Sequence, residues 1–272
     1  MLPRHERAPD AVAASAAEGI EGVTAPPKDA LVVLESVTES APHALAPVQE
    51  TLWAWADAIR PGDDRWSDLV TVRGRVAIAT DDTDRLSRLL HLEDVDYCKR
   101  LLDTAVATEL VEAAPNKAVP ALLDHLEGRD TVLRKRVLSL FATPPHRFGG
   151  WAPTIRDAVL ERTTDHEQEV RAAAVETLTA WVEALNAGTN TDGGTTRDDG
   201  FAADDRADRL SAVRSAVVEQ LHDEHWRVRA RAARGLGAAV DAETRTTLAS
   251  RLSCEDNQTV RFEIQRILSR ER

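Results

Sequence analysis

The chain has 272 residues, of which 43% are hydrophobic and 29% charged, enough apolar content to bury a core and to exclude wholesale disorder. Only 4% are aromatic, and six of those eleven residues are Trp. Ala, Val and Leu must therefore fill the core, which favours closely packed helices over a β-sandwich. Asp and Glu number 46 against 34 Lys and Arg, a net charge of −12, which weighs against nucleic acid as a partner.

In chain order, residues 1–28 lack sustained apolar periodicity and end at Pro26-Pro27, so they read as a mobile tail. Arg4 and Arg7 precede a short AVAASAA stretch flanked by Asp and Glu, a poor secretory signal. From residue 29 to 272 the pattern is helix after helix, with apolar residues three and four apart and breaks at Pro, Gly or acidic turns. Trp53 and Trp55 stand about 200° apart around one helix, so both cannot share a buried stripe. The break at about 186–206, with GTNTDGGTTRDDG at its heart, reads as an exposed loop. Its acids do not follow the calcium-loop spacing. Cys98 and Cys254 lie far apart, which gives no disulfide framework. No apolar run approaches the roughly 18 residues of a membrane span. Together these features predict a cytoplasmic protein.

The strongest signal is internal repetition. DHEQEVRAAAVETL from Asp165, DEHWRVRARAARGL from Asp223 and EDNQTVRFEIQRIL from Glu255 align without gaps. In each, an acid precedes an Arg by six positions: Asp165 and Arg171, Asp223 and Arg229, Glu255 and Arg261. A Val stands before each Arg, followed at four and eight by Ala174 and Leu178, Ala232 and Leu236, Ile264 and Leu268. That spacing puts Val, Ala or Ile, and Leu on one helical stripe. Val228 to Val260 is 32 residues and Val170 to Val228 is 58, and the excess of 26 is close to the length of the loop insertion. Weaker echoes stand at Leu133-Arg134 with Val137 and Phe141, and at Val72-Arg73 with Val76. About 35 residues per repeat give around six helix pairs.

The D-x5-R spacing, with V-R opening an Ala-rich helix that ends in Leu, resembles the HEAT-like repeat family, in particular the short variant shared with phycocyanobilin lyases. The match covers 164–270 most specifically, then 85–163, and 29–84 only faintly. The resemblance implies an all-α, right-handed α-solenoid of antiparallel helix pairs, with acid–Arg contacts linking neighbouring turns. Physically, one pair cannot bury its apolar face alone, so it stacks on the next. Ala173, Ala174, Ala232 and Ala233 would let helix axes approach, and the acids would cap the helix starts. The acidic surplus, with Lys28, Lys99, Lys117 and Lys135 the only lysines, also resembles proteins of halophilic archaea, although a GC-rich genome gives the same bias. In molar salt the Debye length falls to about 3 Å, and the counterion-release drive to bind DNA is suppressed.

HEAT-like repeats also occur in enzymes. Deoxyhypusine hydroxylases hold two irons through repeated His-Glu pairs, but only His166-Glu167 falls in a repeat turn here, where later repeats have Glu224-His225 and Asp256-Asn257. His222 and His225 could approach a metal with Asp223 or Glu224, against the plainer reading that Asp223 is the repeat acid and the His pair is surface. Bilin-lyase chemistry would rest on a scaffold motif rather than a catalytic one. The alkylpurine DNA glycosylase pattern lacks its basic groove. No catalytic, cofactor or metal residue is assigned.

The reading is a non-catalytic scaffold or adaptor that needs no cofactor and binds another protein or a peptide on its solenoid surface. Candidate contact residues are Trp53 or Trp55, as interface anchors, and Arg227, Arg231 and Arg234. Asp165, Arg171, Asp223, Arg229, Glu255 and Arg261 form the structural ladder. A HEAT-like enzyme or metal-binding protein and a nucleic-acid-binding protein are the alternatives.

Overall fold

A computed structural model describes residues 19–20, 28–59, 62–187, 203–237 and 241–269. Most of the expected tail, and residues 188–202 of the expected insertion, lie outside them. The helices are α1 (Lys28–Ser40), α2 (Gln49–Ala58), α3 (Trp66–Ala79), α4 (Thr83–Leu89), α5 (Val95–Leu102), α6 (Ala107–Ala113), α7 (Pro115–Glu127), α8 (Thr131–Phe141), α9 (Ala152–Glu161), α10 (Gln168–Ala187), α11 (Ala203–Glu219), α12 (Trp226–Leu236), α13 (Ala242–Cys254) and α14 (Gln258–Ser269). Short 3-10 turns stand at Pro42–Val48, Pro145–Trp151, Arg162–Thr164 and Gln220–His222. No strand occurs among the described residues, and the fold class is an all-α solenoid.

The chain divides into two compact units, Met1–Leu122 and Leu123–Arg272. In the first, α3 is the hub against which α1, α2, α4 and α6 pack. Its Leu69, Val70, Val72, Val76 and Ala77 are buried. Gly74 lets α6 come close, since a Cβ there would press on Val106 and Leu110. Asp82 and Asp94 cap α4 and α5 by accepting the Arg85 N–H and the Asp96 and Tyr97 N–H groups, which satisfies donors these short helices cannot pair internally.

The second unit is the regular one. Helices α8, α10, α12 and α14 stack in sequence as one layer, and α9, α11 and α13 each lean on the helix that follows. The repeated stripe is the seam: Val170, Ala174, Leu178, Val228, Ala232, Leu236, Val260 and Ile264 are all buried. In α14 the stripe turns, because Ile267 is buried while Leu268 is only half-covered. Two hydrogen bonds fasten α10 to α8: Thr177 Oγ1 donates to Leu138 O (2.7 Å) and Trp181 Nε1 to Phe141 O (2.7 Å). Gly235 of α12 meets α10 so closely that a Cβ would overlap the Thr179 hydroxyl.

Among the described residues, no helix is long and apolar enough to cross a membrane.

Candidate functional site

In the second unit the acid and Arg residues of the repeat form a ladder wired between neighbouring turns. Arg171 donates through Nε and Nη2 to Asp223 Oδ2 and Oδ1 (2.7 and 3.1 Å). Its Nη1 donates back to the carbonyls of Asp165 and His166 in its own turn (2.9 and 3.3 Å). Arg229 repeats the geometry on Glu255 (2.8 and 2.7 Å), with Nη1 on the Asp223 and Glu224 carbonyls (3.0 and 2.9 Å). Arg261 makes the inward half, with Nη1 on Glu255 O (3.0 Å). So the spacing of six reflects an Arg reaching the main chain of its own acid, while the carboxylate it grips belongs to the next repeat. One guanidinium has enough donors in a fixed plane for both tasks.

The acids do not cap their helices as expected. Asp165, Asp223 and Glu255 each accept the N–H two residues on (Glu167, His225 and Asn257, at 2.9, 2.7 and 2.9 Å), which shapes the turn. His225 Nδ1 and Asn257 Oδ1 then accept from Arg227 N and Thr259 N at the helix starts. The Asp223 carboxylate beside Arg171 and the Glu255 carboxylate beside Arg229 raise both guanidinium pKa values further. Burial would push Glu255 up, but hydrogen bonds from Arg229, Asn257 N–H and Arg251 outweigh it and hold the carboxyl at about 2.

The solvent side of the layer carries the other expected residues. Arg231 is paired with Glu176 of α10, and Arg234 with Glu263 of α14 (2.8 Å). Lys135 of α8 pairs with Glu169 of α10 (2.5 Å), holding that carboxyl below its ordinary range. Sign therefore alternates helix by helix: basic on α8, acidic on α10, basic on α12. Arg231 and Arg234 are thus answered by neighbouring acids rather than free as a basic patch. Arg227 itself is exposed, its guanidinium 5.4 Å from the Trp226 ring centroid.

In the first unit the two tryptophans part as their spacing requires. Trp55 is fully buried, whereas Trp53 is half-exposed beneath the Arg73 guanidinium, 3.7 Å from its ring centroid. His222 is exposed, and His225 stacks on Trp226. Among the described residues, no group of three or more His, Cys, Asp or Glu is placed to hold a metal ion.

One feature went unread in the sequence. An open cavity of about 490 Å³ lies in the second unit, between the turn around Gly128 and the turn around Asp165. Arg134, the residue of the weaker repeat echo, is in its wall and is 2% exposed. Its Nη1 donates to Asp165 Oδ2, which makes this the first rung of the ladder.

No family model matches the chain, nor does any curated protein. Solved structures do resemble it. An engineered protein aligns at 17% identity over 94% of each chain, with a TM-score of 0.45. A designed armadillo repeat protein in complex with the peptide (KR)4 aligns at 13% identity over 94% of this chain and 97% of that one, with a TM-score of 0.43. A second designed armadillo repeat protein aligns at 13% identity over 94% and 98%, with a TM-score of 0.41.

Proposed function

We propose that the protein is a non-catalytic scaffold that binds another protein or a peptide segment on the layer formed by α8, α10, α12 and α14. One observation carries this reading: four successive helices present equivalent positions to solvent. These strips are Val132–Arg136–Ser139, Glu169–Ala173–Glu176, Arg227–Arg231–Arg234 and Thr259–Glu263–Arg266, each two before, two after and five after the ladder Arg. Only Glu263 among them is buried. Such a surface engages a partner by many spaced contacts instead of one convergent pocket. The buried acids and guanidinia are meanwhile committed to holding repeat against repeat.

The test is affinity capture on the intact protein at the salt concentration of its native environment, then measured binding of the purified partner. Reversing the sign at Arg227 and Glu169 together should weaken that binding at least tenfold. Binding unchanged by the pair of substitutions would place the partner elsewhere and sink the reading.

A further inference from the structure

We infer that the outer face of α14 docks the α5 turn of a second copy of this chain, with Arg261 on Asp94 and Phe262 against Val95. The contact continues the ladder by one rung. Gly235 of α12 lies against Thr179 of α10, and Gly237 at the end of α12 lies against Ile267 of α14. Each helix therefore turns one face towards the helix that follows. On α10 that face buries Ala172 and Val175, and on α12 the equivalent Ala230 and Ala233 are buried too. Among the described residues α14 has no following helix, and the equivalent positions stand open: Phe262 is 64% exposed, Gln265 is exposed and Arg261 is half-exposed.

Arg261 shows what such a face lacks. Arg171 and Arg229 each place Nη1 on their own turn and a fork of Nε and Nη2 on the carboxylate of the next repeat. Arg261 has the first half only, with Nη1 on the Glu255 and Leu252 carbonyls (3.0 and 3.4 Å). Its fork meets no acceptor among the described residues, and a planar fork of two N–H donors is matched by a carboxylate. The ladder also shows how that carboxylate is held: Asp223 gives Oδ1 to the His225 N–H and Oδ2 to Arg171 Nε.

Asp94, in the first unit, is the complementary half. Its Oδ1 accepts the N–H groups of Asp96 and Tyr97 (2.9 Å each), while its Oδ2 has no partner among the described residues. The side chain is exposed, and so is Val95 beside it, set among Glu93, Asp94 and Asp96. An apolar residue ringed by carboxylates thus faces an exposed Phe beside an open guanidinium, which gives a small apolar centre with a charged rim. Each copy carries one free donor half and one free acceptor half, so association runs head to tail and can extend beyond a dimer. The net charge of −12 opposes it in dilute salt. At 1 M salt the Debye length is about 3 Å, which removes that long-range repulsion and spares a contact pair. The docking does not rest on the scaffold reading, whose partner lies on the solvent side of the α8–α14 layer.

The experiment is sedimentation equilibrium of the purified full chain in 1 M sodium chloride, at concentrations up to about 1 mM because a contact this small is weak. The average mass should rise with concentration beyond that of one copy. Arg261→Glu and Asp94→Arg should each weaken association at least tenfold, and an equimolar mixture of the two variants should restore it, since every junction between unlike copies again joins opposite charges. Phe262→Ser, at an exposed position, should weaken association with its helical circular dichroism unchanged, which keeps the test decisive should Arg261→Glu fail to fold. A chain that stays monomeric throughout overturns the proposal. So does association that survives Arg261→Glu and Phe262→Ser, or a mixture that restores nothing. None of these outcomes bears on whether a partner is captured on the α8–α14 layer.

Discussion

Replacing Glu255 by Gln tests whether the ladder holds the second unit together. The Glu255 side chain is completely buried between the α12 and α14 repeats, gripped by Arg229 and Arg251 and by the Asn257 N–H. Its carboxyl is held at about 2 against an ordinary 4.5. At about 1.4 kcal/mol per pKa unit, that depression corresponds to roughly 3 kcal/mol of folding stability. An independent route gives a similar figure: breaking a buried pair from one side costs about 3–5 kcal/mol, because the remaining charge stays buried. Because the folded-state pKa is depressed, the contribution is fully present above pH 4.5 and is lost as the pH falls towards 2. The assay is urea denaturation of the wild type and Glu255→Gln across pH 2.5 to 7. The stability gap should stand near 3 kcal/mol at neutral pH and shrink steadily below pH 4.5. A gap that is the same at every pH would show that the amide merely packs badly, and the electrostatic account of the rung would be refuted.

Other substitutions separate the remaining forces. Gly235→Ala should cost about 1–3 kcal/mol by overpacking the α10–α12 seam, and Thr179→Ala in the same chain should recover part of it, read as a coupling energy in a double-mutant cycle by urea denaturation. Arg229→Lys should cost about 1–2 kcal/mol, since one ammonium cannot span the Glu255 oxygens and the turn carbonyls together. Arg231→Lys should stay within about 0.5 kcal/mol, because its partner Glu176 is a single exposed carboxylate; equal effects at the two sites would contradict the ladder geometry. Trp55→Ala should cost about 3–5 kcal/mol as a core truncation. Trp53→Ala should cost nearer 1 kcal/mol, the value of a partly exposed cation–π contact, and equal losses in thermal or urea unfolding would mean both rings serve the core.

The seams of the second unit were legible because period and burial coincide there: Val170, Val228 and Val260 recur in one register and all are buried. The spacing marked the ladder residues, and contacts between neighbouring turns were implied by the repeat resemblance rather than by the spacing itself. A spacing of six within one turn cannot reveal that the carboxylate facing Arg171 comes from Asp223, which is 52 positions away. The first unit was nearly silent, because α4, α5 and α6 are only seven or eight residues long and gather around α3. Helices that short do not show enough turns to establish a period.

The ladder also limits what composition can say about partners. An exposed arginine run ordinarily suggests an acidic ligand, yet Arg231 and Arg234 are answered by Glu176 and Glu263 from the helices on either side. Repeat stacking makes this pairing possible, because equivalent positions on successive helices fall side by side and a sign change from one repeat to the next places opposite charges across each seam. The −12 net charge therefore coexists with an α8–α14 surface on which Lys135, Arg231 and Arg234 already meet carboxylates of neighbouring helices. A partner of that surface must displace or bridge existing pairs, which contributes little affinity and much selectivity.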